Sequence, residues 1–270
     1  MTDKFSLIRL STLLKITLDQ IDSKQQFFGI PQEVFFHPKT SDPFRLKRYN
    51  QLLETPIGVA AGPHGQLTQN IVAAWLCGAR FIELKTIQTL DELNVAKPCI
   101  DMQDEGYNCE WSQELKIHES FDQYINAWII IHILKHKFGW ESKEIGAIFN
   151  MSVGYNLEGI LEKNVQWFFD KMKDCSIEKS KKIAEISELY PKIKNINIPD
   201  CISNNITLST MHGCPSDEIE KIGRYLIEEK KLHTTIKLNP TLLGKVQLHN
   251  ILDKSDFKTQ VPDLAFEHDL

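Results

Sequence analysis

No CxxC pair occurs among Cys77, Cys99, Cys109, Cys175, Cys201 and Cys214, so the spacings that zinc and iron–sulfur sites usually display are missing. No metal site is assigned. Long apolar runs are also missing: "AWIIIHIL" is far too short to span a bilayer, which argues against a membrane role. Positive charge is not in excess. With 31 Lys and Arg against 36 Asp and Glu the formal net charge is -5, which argues against a dominant nucleic-acid or anionic-membrane function. The N-terminal "MTDKFSLIRLSTLLKITLDQ" carries charges throughout and has no clean apolar stretch with a small-residue cleavage site, so it reads as a mature amphipathic helix of a cytoplasmic protein. Neither GxGxxG nor GxxxxGK[ST] occurs, which removes the Rossmann and P-loop fingerprints. There is no internal repeat.

What is present is a core-forming composition, 42% hydrophobic and 25% charged over 270 residues. Short apolar stretches alternate with helix-like segments. Strands are predicted at Ile57–Ala61, Arg80–Thr86, Ile145–Ser152, Asn205–Thr210 and Thr234–Pro240. Helices are predicted at Gln69–Leu76 with Gly78 as its cap, about Phe121–Phe138, from near Asn156, over Ser176–Asn195, and about Ser216–Lys230. This alternation implies parallel βα units. "AAGPHG", "ELKT", "NMSVG", "STMHGCP" and "KLNP" all fall at C-terminal strand ends, the catalytic face of a (β/α)8 barrel, although open α/β sheets also bind ligands there.

These strand ends carry the candidate chemistry. In "TPIGVAAGPHGQLTQNI" small residues gather at Ala60, Ala61 and Gly62, leaving backbone bare for something to lie against it. Lys85 and Lys237 each end a predicted strand, where burial favours a permanent anionic or polar partner; a barrel carboxylate or snorkelling to water is the competing role. Cys214 stands between Gly213 and Pro215 before a helix, where the helix dipole lowers a thiol pKa; a buried turn cysteine is the alternative. His64 and His212 lie in these loops as potential donors or local turn residues. Asn150 and Asn239 suit reading a heteroaromatic edge or capping a turn. His132 and His136, spaced i,i+4, read as helix packing rather than a zinc pair.

Taken together, "TPIGVAAGPHGQLTQNI", "FIELKT", "NMSVGYNLEGI", "LSTMHGCPSDEIEKI" and "IKLNPTLLG" resemble the N-terminal flavin barrel of the selenate reductase subunit family. That family in turn is similar to the dihydroorotate dehydrogenases and to the pyrimidine-reducing barrel of dihydropyrimidine dehydrogenase. The resemblance implies an incomplete TIM (β/α)8 barrel of dihydroorotate dehydrogenase type with about five strands present, and an FMN-dependent oxidoreductase. It implies FMN contacts at Ala60, Ala61, Gly62, Lys85, Thr86, Asn150 and Lys237, substrate contacts at His212 and Asn239, and Cys214 as the acid/base beside hydride exchange at flavin N5. Met211 and Ser216 stand where dihydroorotate dehydrogenases place asparagines, which disfavours dihydroorotate as substrate. No residue here recognises a selenium oxyanion.

The domain reading is a helical and loop extension over 1–54, then the N-terminal part of the barrel over 55–270, with a helical insertion near 87–144 and a charged excursion near 174–204. Iron–sulfur and FAD/NAD(P)H modules are implied only downstream of this chain. The implied partners are a small-molecule substrate and either a C-terminal complementing chain or an iron–sulfur/FAD electron-transfer subunit. Two other readings compete: a catalytically silent assembly module of an electron-transfer complex, and a Schiff-base TIM-barrel lyase using Lys85 or Lys237.

Overall fold

A computed structural model describes residues 6–91, 100–101, 107–108, 115–140, 144–210, 216–238, 240–259 and 261–267. In chain order the strands are β1 (Gln26–Phe27), β2 (Ile30–Pro31), β3 (Leu46–Arg48), β4 (Gln51–Leu53), β5 (Gly58–Val59), β6 (Phe81–Glu83), β7 (Ile100–Asp101), β8 (Tyr107–Asn108), β9 (Ile148–Gly154), β10 (Asn205–Ser209) and β11 (His233–Lys237). The helices are α1 (Leu10–Lys24), α2 (Thr68–Leu76), α3 (Ile117–Phe138), α4 (Leu157–Ile160), α5 (Lys163–Lys173), α6 (Ser176–Ile186), α7 (Ser216–Arg224), α8 (Lys245–Lys254) and α9 (Leu264–Glu267).

The organising element is a five-stranded sheet in the order β11-β10-β9-β6-β5, parallel throughout. Its sequential strand order is that of a barrel wound one βα unit at a time. All five predicted strands are present. The first is shorter than predicted, and Gly58 accounts for its tight pairing: a Cβ there would stand 1.8 Å from the Phe81 carbonyl oxygen. Part of the bare backbone in this stretch therefore meets a neighbouring strand.

One face of the sheet is apolar. Ile82, Phe149, Met151, Val153, Ile206 and Leu208 are buried there under a helical layer. The helix α3 is apolar nearly all round, and its residues 123–135 are all buried between α2, α5 and α6. It starts four residues earlier than predicted, because Glu119 reaches back to the Lys116 backbone N–H at 2.9 Å and fixes the first turn. Amphipathic α1 packs Leu10, Leu13, Leu14 and Ile21 onto the core and lies against α6. Gly78 follows the end of α2 with φ +103°, as its predicted capping role requires. Asn156 caps only the short α4, accepting from the Gly159 N–H at 2.9 Å, and the chain breaks before α5 begins. The predicted helix after "MHGCP" is α7, whose last stretch widens to a π turn over Tyr225–Glu229.

The first 54 residues hold two antiparallel hairpins besides the helix, β1–β2 and β3–β4. The second turns at Tyr49 and Asn50, both with positive φ (52° and 60°), the conformation of a two-residue hairpin turn matched to strand twist. Its arms reach both ends of the sheet. Gln51 donates to Asn204 at 2.9 Å beside β10, while the Tyr49 ring stacks on His233 of β11 at 4.8 Å. At the other end Glu54 forms a fully buried ion pair with Arg80 at 2.8 Å. The hairpin is thus the floor under the sheet's other, polar face.

Candidate functional site

On that second face the strands present polar side chains in registered rows. Glu83 pairs with Asn150, Ser152 with Thr207 and Thr235, and Gly154 with Ser209 and Lys237. Interiors of (β/α)8 barrels are usually filled by branched apolar residues, so a hydrophilic lining with small residues towards the strand ends leaves space and hydrogen-bonding capacity for a ligand. The space exists. A cavity of about 580 Å³ is bounded by Gly58, Ala60, Glu83, Thr207 and Lys237, with Arg48 of the hairpin at its base. Its size falls within the usual range of small-molecule and cofactor sites, about 300–1,000 Å³.

Of the residues singled out in the sequence, Ala60 lines this cavity and Ala61 donates its N–H to Glu83 Oε2 at 3.2 Å. Gly62 is extended (φ -158°), so its conformation is open to any residue and its contribution is the missing side chain. Lys85 and Thr86 follow β6 and are both buried; the Thr86 and Ser152 hydroxyls share a 2.8 Å hydrogen bond. Asn150 is completely buried. Its Nδ2 donates to Thr207 Oγ1 at 2.7 Å and to the Met151 carbonyl at 3.1 Å, while its Oδ1 has no hydrogen-bond partner among the described residues. A buried acceptor left without a donor costs on the order of 1–3 kcal/mol, so this atom is a place where a ligand N–H would be stabilised.

The two lysines differ. Lys85 is 3% exposed, whereas Lys237 lies on an exposed edge strand that reads His-Thr-Thr-Ile-Lys rather than apolar. The expectation of two buried, matched lysines therefore holds for Lys85 alone, because β11 has a neighbour on one side only among the described strands. Lys237 nevertheless borders the cavity and has no acidic partner among the described residues. His212, Cys214 and Asn239 lie outside the described residues, as does the side chain of His64. His132 and His136 serve packing: His132 Nδ1 donates to the Trp128 carbonyl at 2.7 Å, and His136 hydrogen-bonds Tyr190 at 2.8 Å. Burial, reinforced by Lys135 and Lys179, pushes the His132 imidazole down to about 4.

Several cavity residues were not singled out from the sequence: Arg48, Glu83, Thr207 and Thr235. Their signal was period-two alternation, "NITLST" and "HTTIK" placing hydroxyls on one face, together with the Tyr-Asn turn between "LKR" and "QLL". Arg48 donates to the Tyr49 hydroxyl at 2.9 Å and to Thr235 at 3.3 Å, and its guanidinium lies 5.3 Å from the centre of the Phe81 ring.

Residues 28–270 match the family described as oxidoreductase YgfK, N-terminal TIM-barrel domain. The chain belongs to that family. The YgfK proteins of Escherichia coli strain K12 and of Escherichia coli O157:H7 are each 41% identical to it over 280 residues, covering 96% of this chain and 27% of theirs. The chain therefore spans about a quarter of the length of these relatives. The YgfK match agrees with the barrel read from the strand ends, and the five parallel strands of the structure are part of such a barrel.

Proposed function

We propose that this YgfK-type barrel is the FMN-binding part of a cytoplasmic oxidoreductase, acting on a small-molecule substrate. The observation that carries the reading is the buried, donor-less Asn150 Oδ1, held by Thr207, behind the wall of a cavity of cofactor size that mixes apolar and polar residues. The residues fit a flavin: Ala60, Ala61 and Gly62 would hold it with little side chain in the way, Thr86 and Asn150 would offer hydroxyl and amide groups, and Lys85 and Lys237 would supply positive charge. When bound, FMN supplies the hydride chemistry.

The protein's own residues do the rest. Asn150, fixed by Thr207 and the Met151 carbonyl, holds its unpartnered Oδ1 in one orientation behind Thr207 of the cavity wall, where a small shift of that wall would offer it to a ligand N–H. Glu83 holds the loop after β5 through the Ala61 N–H, which keeps the bare backbone at the cavity wall. Cys214 Sγ would give or take the proton at the substrate carbon, with His212 and Asn239 as substrate contacts. Electrons would pass to or from iron–sulfur or FAD/NAD(P)H modules in the remaining length of the polypeptide or on a separate subunit. The test is spectroscopic. Protein titrated with FMN should show a bound-flavin visible spectrum that bleaches on reduction, with affinity falling at least about tenfold in Lys85→Glu or Lys237→Glu. Unchanged FMN affinity in both variants would remove these lysines from the site, and no bound flavin at all would sink the reading.

A further inference from the structure

The loop between β5 and α2 carries little with which to hold itself. Ala60, Ala61, Gly62 and Gly65 bring no polar side chain, and Gly65 lies on the end of β6, where an added Cβ would stand 3.6 Å from the Glu83 carbonyl oxygen. The first half of the loop is tied to β6 through Ala61 and Glu83. Its far end is tied to α3. Thr68 opens α2 behind Leu67, which supplies no side-chain cap, and the acceptor comes instead from Gln123, fifty-five residues on. Gln123 Oε1 accepts the Thr68 N–H at 3.2 Å and shares the Thr68 hydroxyl, at 2.8 Å, with the Gln123 carbonyl oxygen at 2.9 Å. A second tie brings the Leu115 N–H, just before α3, to Gln66 Oε1 at 3.2 Å. Gln66, Thr68 and Gln123 are all buried. A buried amide on a helix otherwise apolar nearly all round is costly unless bonded, and an apolar side chain would serve packing as well. What the amide adds is a fixed place for the end of the loop.

We propose that Gln123 is a positioning residue of the candidate site: by capping α2 at Thr68 it holds the loop that starts at Ala60 of the cavity wall. For what the loop receives, the inference rests on the flavin reading; for how the loop is held, it rests on the Thr68 hydrogen bonds alone. A glycine-rich loop released at one end samples many conformations, and a ligand that has to order it binds more weakly. Fixed at Ala61 on one side and at Thr68 on the other, the loop meets a ligand already in shape. Gln123 acts through the loop, since it is not among the residues that border the cavity.

Three variants separate this role from plain packing. Gln123→Met keeps length and burial but accepts nothing from Thr68. Gln123→Glu keeps the acceptor oxygens, beside the positive end of α2. Ile186→Val trims the core at the end of α6 and reports the response to lost stability alone. In ligand-free protein, hydrogen exchange at the Ala61 and Gly65 amides should quicken at least about tenfold in Gln123→Met and stay within about threefold of the parent in the other two. The FMN dissociation constant should rise at least about tenfold in Gln123→Met and stay within about threefold in Gln123→Glu and Ile186→Val. Unchanged exchange in Gln123→Met, or an equal response in Ile186→Val, would overturn the proposal. Quickened exchange with unchanged FMN affinity would overturn it too, because the loop would then bind equally well unheld. A parent that binds no flavin would sink the flavin reading instead, and the exchange rates would still decide whether Gln123 holds the loop.

Discussion

Replacing Glu54 by Gln tests how the floor of the sheet is held. Glu54 and Arg80 are 1% and 0% exposed, with Oε2 and Nε 2.8 Å apart, and burial lowers the Arg80 pKa despite this partner. The amide is nearly isosteric, so packing is kept and the charge on Arg80 loses its counterion. Breaking a buried pair in this way typically costs about 3–5 kcal/mol. Arg80 keeps hydrogen bonds to the Trp75 and Ala79 carbonyls at 2.5 and 3.1 Å and stays within 5.0 Å of the Trp75 ring centre and 5.3 Å of the Phe36 ring centre, which places the cost near the lower end, about 3 kcal/mol. That corresponds to a melting point lower by roughly 6–12 °C. Since Glu54 directly follows β4, hydrogen exchange over Leu46–Leu53 should quicken in the same variant. Urea unfolding measures the first quantity. The double variant Glu54→Leu, Arg80→Met removes both charges and should recover most of the loss. A loss below about 1 kcal/mol in Glu54→Gln, or a double variant no better than the single one, would refute the assignment of the pair as the hairpin's anchor.

Other expectations follow from single contacts. His132, held neutral by burial with a folded pKa of about 4, takes up a proton on unfolding between that value and its ordinary 6.5, so stability should fall as pH drops through this window. His132→Gln should flatten that part of the urea stability profile; an unchanged slope would remove His132 as its source. Gly58→Ala forces a Cβ against the Phe81 carbonyl oxygen and should destabilise by more than about 3 kcal/mol, read as a lowered melting point, because backbone cannot move aside as a side chain can. Under the flavin proposal, Cys214→Ala should retain FMN affinity yet slow substrate-dependent flavin reduction by about 10²-fold or more, with a Ser variant between the two; stopped-flow traces matching the parent would exclude the acid/base role.

The apolar half of this architecture was legible because periodicity reports burial. The strands "FIELKT", "IGAIFNMS" and "NITLST" and the helix around "AWIIIHIL" carry their core-facing residues in plain view, and each forms where the pattern places it. The hairpin β3–β4 was illegible for the same reason. Leu46, Lys47 and Arg48 are all exposed, so no apolar period marks β3, and the signal resides in two turn residues whose positive φ sequence alone leaves undetermined. Burial of Lys237 was overestimated because strand position was read without the neighbour that burial requires: the same residue type is enclosed at Lys85, beyond the end of an interior strand, and open on β11.

The candidate site has a further cause of partial legibility. Residue types at strand ends can be read locally, and Ala60, Thr86, Asn150 and Lys85 indeed gather beyond or within adjacent strands. What selects among their possible roles is satisfaction of hydrogen bonds across strands, which depends on register. Asn150 is informative because Thr207, fifty-seven residues away, engages its Nδ2 and leaves Oδ1 alone in a dry place. Had the register of β9 and β10 differed by one residue, Thr207 would face the helical layer and the same asparagine would be an unremarkable turn residue. The candidate site is therefore a property of the paired strands, legible only once Ser152, Thr207 and Thr235 are known to stand in one row.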